Sequence, residues 1–257
     1  MDNVYIQVLF AVGLFSVILF LIEAGRFLRA RHRTDNVESA RAGHVVVEGA
    51  IFGLMGLMLA FTFSWSFVRF DTRRHLIIEE ANYIRTAYLR LSLLPSQAQS
   101  ELQEKFRQYV DARVAAYRAF PDSAKVEVGI NQATAIQGEI WPMAVAASQR
   151  MASPQASLLI LPALNSAFDM ANTRYMSIKM HRPVTINCLM GVLVLACSLL
   201  AGFSMGDSKA RSWVHAIIFA ALLTITVYTI IDLEYPRIGL IQVDYIDQAL
   251  IDVRNAM

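Results

Sequence analysis

One unbroken stretch constrains this chain more than any other. Residues 45–68, VVVEGAIFGLMGLMLAFTFSWSFV, form an apolar run with a single early acid, Glu48. About 20 apolar residues suffice for a helix to cross a bilayer. The run does not stop at the far side. It continues through Arg69, Asp71, Arg73 and Arg74 into LIIEEANYIRTAYLRL, with neither Gly nor Pro between Gly56 and Pro95. Gly and Pro are the strongest helix breakers, so their absence predicts one long helix over residues 45–94. Half of it would lie in lipid and half outside. Gly49, Gly53, Gly56 and Ala60 recur at helical spacing and leave one face nearly flat. Such faces let membrane helices approach closely, where lipid supplies no hydrophobic drive for association. The face is therefore expected to pack, either between subunits or against the first crossing.

Three further apolar runs complete a membrane architecture. Residues 4–22, 184–205 and 213–231 are each long enough to span. Mean hydropathy is +0.43 and charged residues make up 17%, a balance outside the ordinary soluble range. The first run lacks a basic leader and a small-residue cleavage site, so it reads as an anchor rather than a signal peptide. The expected fold is an all-α integral membrane protein with four transmembrane helices. A large helical extramembrane region, residues 69–182, separates the second from the third, and an amphipathic tail fills residues 232–257.

Within the extramembrane region, Pro95, Pro121, Pro142, Pro154 and Pro162 are expected to punctuate the helices. Ser96 to Gln99 reads as a capping box before the stripe Leu102, Phe106, Tyr109, Val110 and Tyr117. Ser153 before Pro154 reads as a second helix start. No strand pattern and no internal repeat stands out.

Chemical motifs are few. His32, His44, His75, His181 and His215 are scattered, without metal-ligand spacing to each other or to cysteine. Cys188 and Cys197 are nine residues apart on one apolar run. That is about 13.5 Å along a helix, too far to bridge. There is no phosphate-cradling loop, no nucleophile elbow and no nucleic-acid signature. No metal, cofactor or nucleic-acid partner is expected, and no acid, base or nucleophile constellation marks an enzyme.

The charges therefore draw the attention. Arg69, Arg73 and Arg74 stand just past the second crossing with Asp71 between them. They either concentrate anions at a vestibule mouth or contact lipid phosphates and Asp71. Glu79 and Glu80 point about 100° apart on a helix, unlike a glycosidase acid pair. They read as ion-pair formers, with Arg85, Arg90 or a neighbouring chain. Glu48 lies near the membrane interface, on an ion path or in water. Asp232, Glu234 and Arg237, at the end of the fourth crossing, either pair with the basic cluster or are solvated. Phe52, Leu59, Phe63 and Phe70 fall on one stripe of the long helix, which reads either as plain packing or lipid contact or as an apolar pore constriction.

Topology signals divide. Arg26, Arg29, Arg31, Arg33 and Arg41 follow the first crossing, and Lys209 and Arg211 follow the third. Counting these short loops places them in the cytoplasm and the helical region outside. Arg69, Arg73, Arg74, Arg174, Lys179 and Arg182 crowd the membrane-facing ends of the large region and oppose that count.

The segment LAFTFSWSFVRFDTRRHLIIEEANYIRTAYLRLSLLP and the tail DLEYPRIGLIQVD resemble the signature and closing motifs of the bestrophin-like membrane protein family. The resemblance extends over essentially the whole chain. It implies a distant relation to bestrophins, pentameric and mostly anion-conducting channels with the second transmembrane helix lining the pore. By that resemblance the chain is a multi-pass protein of a bacterial-type inner cell membrane. It assembles as a homo-oligomer, a pentamer, and passes chloride or other small anions, with membrane lipid around it. The helical region would be cytoplasmic, against the loop count. Pore-lining candidates are then Phe52, Leu59 and Phe63, with Arg69, Arg73, Arg74 and Glu48 as charges at the mouth. The longest acidic run is Glu79–Glu80, so the acidic clasp of calcium-gated bestrophins has no counterpart. The rival reading is a non-conducting membrane scaffold or sensor whose helical region binds a partner.

Overall fold

The computed structural model describes residues 2–31, 38–151, 154–206, 213–237, 239–241, 243 and 246–257. The protein is an all-helical membrane protein. Its helices are α1 (Asp2–Arg31), α2 (Glu38–Leu91), α3 (Ser96–Arg118), α4 (Ser123–Gln149), α5 (Pro154–Lys179), α6 (Val184–Met205), α7 (Trp213–Glu234) and α8 (Gln248–Asn255). Four stretches are long and apolar enough to cross a bilayer, and they lie in α1, α2, α6 and α7. Lipid offers backbone groups no partner, so a helix, which satisfies them internally, is the form such segments take.

The long helix is continuous, without interruption between Phe67 and Leu76. It begins earlier than the apolar run and ends at Leu91, before Pro95, because Ser92 to Leu94 close as turns onto Leu89, Arg90 and Leu91. Its 54 residues extend about 80 Å at 1.5 Å per residue, against a hydrocarbon layer about 30 Å thick. More than half must therefore lie outside the hydrocarbon.

Other expectations need correction. Arg26, Arg29 and Arg31 belong to α1 rather than to a loop. Arg26 donates to Glu23 at 2.6 Å, and Arg29 lies over the Phe203 ring. Arg33, Lys209, Arg211 and Ser153 lie outside the described residues. Ser96 opens α3 without any side-chain cap, the N-cap position being Pro95. The start of α4 is capped instead by Asp122, which accepts from the Lys125 N–H at 3.2 Å. Pro142 and Pro162 sit inside α4 and α5 and do not end them. A proline removes one N–H, and tertiary contacts outweigh that loss. Ile140, Ala144 and Ala147 are buried around Pro142, and Arg90 donates at 2.9 Å to the Leu159 carbonyl in the turn before Pro162.

The chain forms two compact units. The first is residues 1–69 with 181–241, the second residues 70–180 with 242–257. In the first, α1 packs on α6 and α7. Ile18, Ile22, Met55, Val194, Cys197, Ala220 and Ile230 form its core. The closest helix approach is made by two glycines the spacing argument did not single out. A methyl group at Gly202 would meet the Ile22 carbonyl oxygen at 1.9 Å, and one at Gly25 would meet the Leu199 oxygen at 2.1 Å. Only hydrogen fits at either place.

The second unit packs α3 on α4 and α8, and α4 on α5, with Ile84, Ala87 and Leu91 of α2 in the same core. Phe106, Tyr109 and Phe168 stack in sequence, with ring centroids 5.6 and 5.3 Å apart. At its centre sits Glu80, fully buried. Its Oε1 accepts from Arg113 Nε at 2.9 Å, and its Oε2 pairs with Arg174 Nη1 at 2.5 Å. Arg174 also holds Asp247, and its guanidinium lies 3.5 Å from the centroid of the Tyr117 ring. Burial works to raise the Glu80 carboxyl, but Arg113 and Arg174 outweigh it and hold it below the usual carboxylate range. The expected partners Arg85 and Arg90 are not used. Glu80 shares the stripe of Ile77, Ala81, Ile84 and Ala87, which turns inward, while Glu79 stays exposed.

Two predictions follow from the packing. Gly202→Val and Gly25→Val are each expected to lower stability by at least about 1–3 kcal/mol, the cost of overpacking. Gly13→Ala, which meets nothing within 4 Å, should leave the Tm unchanged or higher. Thermal unfolding of the detergent-purified protein measures both. Glu80→Gln leaves two buried guanidiniums without their shared carboxylate and should cost about 3–5 kcal/mol. The native contribution is complete above about pH 4.3 and fades as the pH falls through the lowered value. Acid unfolding curves of wild type and variant should therefore converge at low pH.

Candidate pore helix and its polar anchors

The membrane part of α2 has two unlike faces. At 100° per residue, Ile51, Phe52, Met55, Leu59, Thr62 and Ser66 share one side and are buried or half-buried. Phe52 meets Phe219 of α7 edge-on at 6.3 Å, and Leu59 packs against the same core. Thr62 donates to the Met58 carbonyl at 2.8 Å, back within its own helix. On the opposite side, Gly53, Leu57, Ala60 and Ser64 lie within about 60° of arc, with Phe61 beside them. All five are exposed. Leu57 is 53% and Phe61 64% exposed.

This placement revises the aromatic stripe. Phe52 and Leu59 turn toward α6 and α7, where large apolar side chains bury most area, and only Phe63 of the three is exposed, at 42%. Phe70, further on, is buried. Gly49, Gly53, Gly56 and Ala60 are exposed, and a methyl group at any of the three glycines would meet nothing within 4 Å. They do not pack on the first crossing. α1 gives its own glycine, Gly25, to α6.

The basic residues past the crossing do not share one environment. Arg69 donates to Glu234 at 2.6 Å, which Arg182 also approaches at 3.3 Å. The Arg182 N–H donates to the other Glu234 oxygen at 3.0 Å. One buried carboxylate thus ties together α2, the start of α6 and the end of α7. Two residues earlier, Asp232 accepts from the backbone N–H groups of Leu240 and Ile241 at 3.1 and 2.9 Å and so folds the tail back. Both acids of the DLEYP segment are structural ties rather than solvated charges. Arg73 is buried and donates to the Ser177 and Met180 carbonyls, at the C-terminus of α5. Lone C-terminal carbonyls and the helix dipole both favour a cation there. Arg74 is part-exposed, 3.9 Å from Asp71, and Asp71 also faces His75 at 3.4 Å. Near the other end of the crossing, Glu48 is half-buried and accepts from the Ser204 hydroxyl.

Sequence reasoning missed Arg113, Arg174 and Arg182 as partners. A signal existed for two of the groups involved. Glu80 and Arg113 each interrupt an apolar stripe, Ile77-Ala81-Ile84 and Leu102-Phe106-Tyr109-Val110-Tyr117, and a charge on a core face needs a counter-charge. Glu234→Gln should weaken three anchorages at once. It is expected to cost about 3–5 kcal/mol in thermal unfolding, far more than Arg74→Gln, which breaks only an exposed pair worth about 0–1 kcal/mol.

Comparison with known proteins fits this architecture. A bestrophin homologue from Klebsiella pneumoniae aligns over 96% of this chain and 98% of its own, with TM-score 0.68 and 14% identity. Two single-residue variants of that homologue align with TM-scores of 0.66 and 0.69 at 13% identity, over 97% and 95% of this chain and 99% and 98% of theirs. At such identity the likeness establishes the fold. No curated protein matches the chain. The bestrophin-like domain matches residues 9–246, nearly the full length. The chain belongs to the bestrophin-like family.

Proposed function

We propose that the protein is the protomer of a homo-oligomeric, passive, anion-conducting channel of a bacterial-type inner membrane, with α2 lining the axis. The observation that carries this reading is the uncovered face of α2. Its own protomer leaves Gly53, Leu57, Ala60, Phe61 and Ser64 bare, next to the open glycines 49 and 56. A lipid-facing helix has no need of a flat, glycine-patterned surface, whereas close contact between subunits does. The bestrophin resemblance supplies a pentamer and a pore on the second transmembrane helix. Leu57 and Phe61, one turn apart, would then form stacked apolar rings. An ion there loses hydration and finds no polar partner, so the rings gate by dewetting. Phe63 lies on the Phe52 side of the helix, about 160° round from Phe61, and so stands outside this constriction, which Phe52 and Leu59 brace from behind. Arg74 is the most exposed of the three arginines at the mouth. The proposal keeps the four crossings at residues 4–22, 45–68, 184–205 and 213–231, with the helical region cytoplasmic.

Single-channel recording from the purified oligomer in bilayers tests it. Leu57→Ala and Phe61→Ala should raise current, while Phe52→Ala should lower stability by about 3–5 kcal/mol without opening the pore. Arg74→Gln should reduce the anion-to-cation current ratio, and less so in high salt, where screening hides its field. Gly53→Leu should disrupt assembly. A confirmed oligomer that stays silent as wild type and in every alanine variant would transfer the protein to the scaffold reading. For topology, an impermeant thiol reagent should fail to label Ser123→Cys in intact cells. Labelling would reverse the orientation.

A further inference from the structure

The helical unit contains a cavity of about 240 Å³ between α3, α4 and α5 that the channel reading does not use. Its floor is apolar and buried: Ile130, Ala133, Phe168 and Ala171. Two polar groups break that floor. Tyr109 is 1% exposed, and its hydroxyl has no hydrogen-bond partner among the described residues. A buried hydroxyl left unpaired loses its water partners with nothing in return, so it calls for an explanation. Arg113 is 3% exposed. Its Nε and Nη2 are taken by Glu80, Tyr117 and the Ala171 carbonyl, which leaves Nη1 without a partner among the described residues. Two donors are thus presented at the bottom of the cavity.

The rim has the opposite character. Asp169 lies there, exposed, accepting from the Asn165 amide at 2.8 Å and meeting no cation among the described residues. Tyr175 adds a ring that already carries the Lys179 ammonium 4.3 Å from its centroid, and Gln137 and Asn172 add carboxamides. The charge balance decides which ligand fits. Arg113 and Arg174 are already matched by Glu80 and Asp247. Counting the lining residues, the cavity therefore has donors at its floor, no surplus positive charge, and one surplus carboxylate at its rim. A simple anion would be repelled by Asp169, and a simple cation would leave the donors idle. The described residues include no group of histidine, cysteine and acidic side chains able to hold a metal.

We propose that this cavity binds a small amino-acid-like zwitterion. The carboxylate end accepts from the Tyr109 hydroxyl and Arg113 Nη1. The ammonium end pairs with Asp169, the one carboxylate among the lining residues. At roughly 30 Å³ per water, the cavity accommodates the space of about eight waters, enough for a ligand of amino-acid size. Ligand binding would join α3 to α5 across the floor and so stabilise the helical unit.

Isothermal titration calorimetry of the full-length detergent-purified protein tests this, with glycine, L-serine, L-glutamine and L-glutamate as probes. Acetate and ethylammonium, which carry one end each, are the controls. At least one amino acid should bind saturably, and both controls should bind at least roughly tenfold more weakly. Tyr109→Phe and Asp169→Asn should each weaken that amino acid by roughly tenfold or more. Tyr109→Phe removes only the unpaired hydroxyl and should keep its ligand-free Tm. Asp169→Asn is at the surface and serves if the core variant fails to fold. The proposal is overturned if none of the four binds at about 10 mM, a level at which binding is barely 3 kcal/mol. It is equally overturned if acetate binds as tightly as the amino acid, or if Asp169→Asn keeps wild-type affinity.

Discussion

Everything in this structure depends on an uninterrupted ladder of backbone hydrogen bonds in α2. The helix runs from Glu38 to Leu91 and contributes to the cores of both units, through Met55 in the first and Ile84, Ala87 and Leu91 in the second. In lipid the ladder is obligatory, because an unpaired backbone group there costs several kcal/mol. Outside lipid it persists because the sequence supplies no breaker and because an inward stripe is buried along its length. A proline or a flexible pair of glycines near Arg69 would remove that continuity. The chain instead places Arg69 there and ties it to Glu234.

Around that helix the buried charges are balanced carboxylate by carboxylate. Glu234 meets Arg69 and Arg182, and Glu80 meets Arg113 and Arg174, with Asp247 on the second arginine. Buried ion pairs add little net stability relative to well-packed apolar groups, yet losing one partner is severe. Their value is in geometry. Each carboxylate accepts from groups far apart in sequence, so each permits only one arrangement of the helices that supply them. Asp232 does the same for the tail by accepting two backbone N–H groups. A membrane unit built from near-featureless apolar helices gains a defined register at its polar edge in this way.

The two glycine sets divide the labour of packing. Gly25 and Gly202 are spent inside the protomer, where any side chain would strike the opposing backbone. Gly49, Gly53 and Gly56 remain open. Both sets look alike in sequence, small residues on an apolar helix. Only the fold separates the internal contact from the surface available to a neighbour.

The all-α class, the four apolar helices long enough to cross and the long second helix could be read from the chain, because each depends on run length, hydropathy and the absence of breakers. These are one-dimensional properties, and the bilayer converts them directly into structure. The helices through Pro142 and Pro162 could not be read, since local propensity there is outweighed by burial of Ile140, Ala144, Ala147, Ala163 and Leu164. Which face of α2 turns inward could not be read either. Its membrane segment is apolar nearly all round, so periodicity does not point to a side, and the aromatic stripe left packing and pore lining both open for Phe52 and Leu59. Partners of the buried charges were hidden for a different reason. Glu80 lies 33 residues from Arg113 and 94 from Arg174, and nothing local joins them. The sequence alone determined that this is a helical membrane protein with a long second helix and four apolar helices long enough to cross a bilayer. Only the tertiary structure decided which residues face one another, because side-chain pairing across such distances is set by how the helices meet.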